Sequence, residues 1–468
     1  MLNRLLCSCI GLPLMMVLGG CAISVGNVPR NQPAKNWQGK EVPPGARQPY
    51  DTAGETTVAL SFSGGGTRAA AFAFGALQGL DSLRGGNTQS LLDQLNFITA
   101  VSGGSMTAAY YGLHGKAALG SFREAALLRD GEADLRFSLI NPLNIARLMS
   151  GGLNDRSTLQ HWLEDDLFKG ATFADMYRRG KPTVWINATN LYNRVAFPFH
   201  ERAFDALCSD LASYPVSEAV AASMAVPLFF APIVLEKHPE SCQAPLAEWL
   251  DGYARGYSDS LLMRSLAQSI HDLRDTSSGR YVKLVDGGIT DNYGLASLQQ
   301  SRLLTGTPYG PLSAKDAVTI KNLLFVVVDA GQSAAGDWNR EMKGPSGIDL
   351  AVASIDAAID TNVRMSYDSF VPMMKAWQES ITRYRCELPA NEQQRIKAAN
   401  PAWQCDDVSF VVTRISFRDL SSQEADRLNT IPLRLTLPAR DVDDLIEAGK
   451  KAVLINPTIR AFEARVSN

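Results

Sequence analysis

Histidine is scarce. The 468 residues hold five, and none follows a strand beside a glycine-rich turn, where the last member of a Ser–His–Asp triad stands in α/β enzymes. His114 lies several turns along a helix, His161 in a polar helix, and His200 and His238 in charged, loop-like sequence. His271, beside Asp272 in a helix, is the fallback base. The seven cysteines form no C-x-x-C, and no histidine stands at ligand spacing from them, which argues against zinc. A net charge of −3 leaves no basic face for nucleic acid. The lysine of a G-x-x-x-x-G-K-[ST] loop is missing. Gly64, Gly66 and Ala69 fit only the loosest dinucleotide fingerprint, and the next strand lacks the acidic residue that would hold a ribose. Heptads and internal repeats are absent. No metal and no cofactor is expected.

The first residues, MLNRLLCSCIGLPLMMVLGGCA, combine one positive charge, Arg4, with an apolar core from Leu5 to Leu18. A helix needs roughly 20 apolar residues to cross a bilayer, so this shorter core reads as an export signal over residues 1–20. Its end, Leu18-Gly19-Gly20-Cys21, resembles the lipobox of bacterial lipoproteins. That resemblance implies cleavage before Cys21, lipidation of Cys21 and anchorage to an envelope membrane. Ala22, which is not aspartate, favours the outer membrane of a Gram-negative cell. Residues 21–52, rich in proline and polar side chains without apolar periodicity, predict an extended tether. A catalytic domain is expected over 53–330, with an insertion at about 200–280 as a lid or substrate wall. That insertion carries the aromatics Trp249, Tyr253 and Tyr257, and residues 331–468 form a C-terminal extension packing on the domain. Past Cys21, four cysteines remain in an exported chain, where disulfides are expected. Four allow three pairings, of which Cys208–Cys242 and Cys386–Cys405 are favoured, because each pair is closest in sequence and flanks a polar loop.

The chemistry gathers at three turns. TTVALSFSGGGTRAAAF, residues 56–72, reads as a strand, a glycine loop and a helix. Three glycines at a helix start leave backbone N–H groups bare where the dipole favours negative charge, which suits an oxyanion. Arg68 either adds positive charge there or braces the loop. In ITAVSGGSMTAAYYG, residues 98–112, a strand ends at Ser102 and a small-residue helix follows, as at a nucleophile elbow. Ala100 replaces the first glycine of G-x-S-x-G, a mild departure. Ser105, one step into the helix, is a competing hydroxyl better suited to back-bonding. In YVKLVDGGITDNYGL, residues 281–295, Asp286 ends an apolar strand before two glycines and is the candidate base for Ser102.

SGGGTR, AVSGG and DGG in this order, with ASMAVPLFFAP at 222–232 and WINATNLYNRVAFPF at 185–199 between the last two, resemble the patatin-like phospholipase family. The resemblance runs from about Thr57 to Leu295, and LRLTLPARDVDDLIEAGKKA near the C-terminus looks like a bacterial branch of it. It implies a three-layer α/β/α fold with a mostly parallel central sheet, related to the α/β-hydrolases. It also implies a Ser102–Asp286 dyad without histidine, and an oxyanion loop of Gly64, Gly65, Gly66 and Arg68. Its members hydrolyse acyl esters of phospholipids, lysophospholipids or neutral lipids and need no cofactor. The expected partners are a membrane lipid as substrate and the membrane itself through Cys21. A catalytically silent envelope lipoprotein and an esterase or thioesterase on soluble substrates are the alternatives.

Overall fold

Runs of β-branched and aromatic residues long enough to be buried on both faces make parallel strands, and this chain places them at the centre of its sheet. The computed structural model describes residues 28–35, 54–84, 89–136, 141–155, 157–242, 245–246, 250, 252–253, 260–331, 340, 342–345 and 347–467. The stretch expected to be an export signal, Cys21, most of the proline-rich segment, Trp249 and Tyr257 lie outside the described residues. The strands are β1 (Gln32–Pro33), β2 (Thr56–Phe62), β3 (Leu95–Val101), β4 (Thr183–Asn190), β5 (Val195–Phe199), β6 (Ser209–Asp210), β7 (Ile233–Glu236), β8 (Tyr281–Asp286), β9 (Asn322–Asp329) and β10 (Ser409–Ser416). The main sheet runs β10–β9–β2–β3–β4–β8–β7, with β5 also on β4.

From β10 to β4 all pairings are parallel. Alternation divides these strands between two cores. Val58, Leu60 and Phe62 of β2, with Leu324, Val326 and Val328 of β9, face one layer of helices. Ala59, with Leu323, Phe325 and Val327, faces the other. The result is the three-layer α/β/α architecture. Helix α1 (Gly66–Ser82) and helix α2 (Gly103–His114) follow β2 and β3, α3 (Val216–Ser223) lies on β4, α4 is Ile348–Cys386 and α5 is Ala439–Ile455. Helix α4 closes the second layer with Phe370, Met374, Trp377 and Ile381, all buried and spaced along one face. It is a single helix of 39 residues.

Beyond β3 the mostly parallel sheet changes direction. β5 and β8 run antiparallel to β4. β3 pairs with residues 183–187 of β4 and β8 with residues 188–190, while β5 overlaps both registers. β3 and β8 therefore share the edge of β4 opposite β5 and meet end to end. Val101 pairs with Asn187, and Asp286 pairs with Ala188, the next residue along.

Residues 200–280 are not peripheral to the sheet, since they supply β7 and α3, and most of 243–259 lies outside the described residues. The C-terminal region also enters the sheet, as β10, and lays α5 on α1. The tether reading fails for residues 28–35, which are docked on the body. Arg30 pairs with Glu164 and Glu218. The Asn31 amide donates to Ser209 Oγ at 2.9 Å and Glu236 O at 2.8 Å and accepts from Glu236 N at 2.9 Å. β1 pairs with β6, and Lys35 meets Asp210 at 2.9 Å. Composition conceals this docking because every partner lies more than 100 residues away in the chain. Cys208 is bonded to Cys242 and Cys386 to Cys405, the favoured pairings.

Helices α1 and α5 approach closely because glycines remove side chains at the crossing. A methyl group on Gly75 would lie 2.0 Å from Ile446 O, and one on Gly449 2.1 Å from Phe72 O. Gly75→Ala is therefore expected to cost about 1–3 kcal/mol and lower the thermal midpoint by several degrees. Gly120→Ala, in open space within a helix, should leave the midpoint unchanged or raise it, as differential scanning calorimetry would show.

Candidate active site

Ser102 stands where the chain leaves β3 for α2, at φ 48 and ψ −126. This left-handed backbone in a non-glycine residue costs roughly 1–3 kcal/mol, so the surroundings must hold it. Ser102 N–H donates to Ser223 Oγ at 2.7 Å, and Ser102 O accepts from Ser105 N at 2.9 Å. Ser105 also turns its hydroxyl back onto Ser102 O, the back-bonding expected of it. Ala100 is fully buried between Phe62 and Ile186 in the sheet, and the turn forms with its methyl group in place. The first residues of α2 must be small: a methyl group on Gly103 would strike Gly66 O at 1.9 Å, and one on Gly104 would strike Ser63 O at 2.6 Å. The elbow thus rests directly on the glycine loop.

Within that loop the three glycines hold different positions. Gly65 (φ 136) and Gly66 (φ 59) adopt backbone that side chains disfavour. Gly64 N–H is already bonded to Asn292 O at 3.1 Å, Ser63 N to Val328 O, and Thr67 N to Arg434 O. Among the described residues, Gly65, Gly66 and Gly103 keep N–H groups without an acceptor. They lie at the starts of α1 and α2, where helix dipoles favour negative charge. Gly103 was not singled out from the sequence, although the residue after a nucleophile is a known source of an oxyanion donor. Arg68 is almost wholly buried. Its Nη1 donates to Ile431 O at 3.1 Å, and burial, opposed by Asp329 and Asp356, brings its pKa down to about 10. It stays charged at neutral pH and, of its two predicted roles, this contact is the brace.

Asp286 closes β8 and is buried. Its Oδ1 accepts from Gly288 N at 2.7 Å. Burial pushes its pKa up to about 6, against the lowering effect of the Gly288 N–H and the Ser102 hydroxyl. Its main chain is equally constrained, with Asp286 N bonded to Ala225 O at 2.9 Å and Thr189 Oγ1 donating to Asp286 O at 2.9 Å. Asp291, five residues on, is also buried and raised to about 6 by burial, but its oxygens cap the following turn through Tyr293 N and Ala296 N. No histidine bonds to Ser102 or Asp286 among the described residues. His114 stacks on Tyr110, His161 pairs with Asp165, and His238 faces Glu240. His200 caps a short helix against Trp185, its pKa pushed down to about 4 by burial.

The residue that joins the two catalytic turns is Ser223, at the end of α3. Its hydroxyl accepts from Ser102 N, donates to Asn187 O at 2.6 Å, and its carbonyl accepts from Gly287 N at 3.2 Å. Ser223 lies within the ASMAVPLFFAP block, but only the register of β3, β4 and β8 shows the bonds it makes. Ser223→Ala leaves a buried N–H unpaired, at a cost of about 1–3 kcal/mol. The variant is expected to fold and lose kcat by about tenfold or more, measured by steady-state kinetics beside a near-native circular dichroism spectrum.

Comparison with known proteins follows this geometry. The family model described as patatin-like phospholipase matches residues 60–298, a span that includes the glycine loop, the elbow, Ser223 and Asp286. No curated protein matches the chain. Among solved structures, human GIVD cytosolic phospholipase A2 aligns at 11% identity and a TM-score of 0.37, over 88% of this chain and 62% of that one. VipD from Legionella pneumophila aligns at 13% identity and a TM-score of 0.31, over 94% of this chain and 71% of that one.

Proposed function

Because the chain belongs to the patatin-like phospholipase family, we propose that it hydrolyses lipid acyl esters with a Ser102–Asp286 dyad while tethered to a bacterial envelope membrane through lipid on Cys21. The observation that carries this reading is the end-to-end meeting of β3 and β8, which sets a buried carboxylate, its charged form favoured by the Ser102 hydroxyl, beside the turn of that strained serine. Asp286 takes the proton of Ser102 Oγ as that oxygen attacks the ester carbonyl carbon. The N–H groups of Gly65, Gly66 and Gly103 receive the developing oxyanion, and Arg68 holds the loop in place. Asp286 then gives the proton to the departing alcohol, and water repeats the sequence on the acyl-serine. Phospholipids and lysophospholipids are the substrates an envelope lipoprotein meets at its own surface. Multiple acyl chains on Cys21 would hold it there firmly.

A fluorophosphonate probe is expected to label the protein at Ser102 and to fail on Ser102→Ala. Release of fatty acid from phospholipid vesicles should fall at least a hundredfold in Asp286→Ala. Absence of labelling rejects the dyad, while turnover of short soluble esters without lipid hydrolysis points to the esterase alternative.

The raised pKa of Asp286 fixes the sign of two pH effects. The base works only when ionised, so kcat/KM should fall as pH drops through about 6. Stability runs the other way. The unfolded chain releases this proton near 3.8 and the folded chain near 6, so the penalty for burying the charge grows across that interval and is complete above it. Asp286→Asn should therefore abolish turnover yet raise the thermal midpoint at pH 8 and not at pH 4.

A further inference from the structure

One polar side chain in the site has no role in the dyad. Asn292 uses its main-chain carbonyl to hold Gly64 N–H, but its carboxamide, half-buried, forms no hydrogen bond among the described residues. A methyl group on Gly64 would lie 2.3 Å from Asn292 Oδ1 and 3.2 Å from Ser102 Cβ. One on Gly288 would lie 2.7 Å from the same Oδ1 and 3.0 Å from Asp286 Oδ1. The carboxamide therefore fills the gap between the two glycine turns, no more than about 5.7 Å from the Asp286 oxygen and so within reach of one water bonded to both. Both glycines are required here because any side chain would occupy the carboxamide's place.

Resting on the dyad reading above, we infer that the Asn292 carboxamide holds the hydrolytic water against Asp286 during deacylation. In that step the water oxygen attacks the carbonyl carbon of acyl-Ser102 while its proton passes to Asp286. The tetrahedral intermediate collapses by breaking the bond to Ser102 Oγ, which recovers the proton from Asp286, and the acid product leaves. A carboxamide suits this place because it both accepts and donates, and it adds no charge beside a carboxylate that must gain a proton. Acylation by an activated ester needs the group less, because p-nitrophenolate leaves without a proton.

The test is rapid-mixing kinetics with p-nitrophenyl butyrate on the wild-type protein, Asn292→Ala and Asn292→Ser, with and without glycerol as a competing acceptor. All three keep the main-chain bond to Gly64. Expected are a deacylation rate lowered about tenfold, acylation changed less than threefold, a pre-steady-state burst with butyryl-enzyme visible by mass spectrometry, and partial recovery in Asn292→Ser. The ratio of glycerol ester to free acid should rise, because a larger acceptor has contacts of its own. A parallel fall of acylation and deacylation, with an unchanged product ratio, would overturn the inference and mark Asn292 as purely structural. Failure of the wild-type protein to form any acyl-enzyme would overturn the dyad as well.

Discussion

The edge of β4 is the constraint on which the site depends. Two strands from distant parts of the chain end on it from opposite directions, and adjacent residues of β4 fix how far each extends. Register in a sheet is quantised by the residue spacing, so the gap between Ser102 and Asp286 is set by backbone hydrogen bonds rather than by flexible side chains. Ser223 then bonds to both turns from the layer of helices. Histidines stand outside this arrangement: His200 caps a short helix, His161 pairs with Asp165, His238 faces Glu240 and His114 lies against Tyr110.

Close approach is the second requirement. Gly103 against Gly66, Gly104 against Ser63 and Gly287 against Asn187 each bring backbone to backbone at distances that exclude a methyl group. These contacts join the glycine loop, the elbow and the base turn into one packed layer, supported behind by Arg68 and its bond to Ile431. The same device recurs where α1 meets α5, so the helix that starts at the oxyanion loop is itself seated by the C-terminal region. Residues far beyond the family match thereby help to place Gly65 and Gly66.

The parts of the site that were legible in the sequence are those whose signal is local. SGGGTR, AVSGG and DGG each announce a strand, a tight turn and a helix start, and the structure puts Ser102, Asp286 and the loop together. The layered, mostly parallel sheet is the one that the resemblance carried by these motifs implied. Ser223, Gly103 and Asn292 escaped because their importance comes from register and contact, not from residue type: a serine at a helix end or an asparagine after a turn is ordinary by itself. The antiparallel approach of β8 escaped because a short apolar strand carries no mark of its direction. β10 and the docked residues 28–35 were read as periphery because their partners are remote in the chain, and polar or mixed composition gives no periodicity to follow.

The end-to-end meeting of β3 and β8 also orders events during synthesis. The elbow sequence is complete by residue 112, but Ser223 and Asp286 lie more than 100 residues later in the chain. Until Ser223 arrives, Ser102 N–H lacks its acceptor, and an isolated turn relaxes out of backbone that costs free energy to hold. Long-range pairings of this kind form late in folding. A chain interrupted before β8 therefore carries its nucleophile without its base, and the site assembles only once most of the sheet is in place.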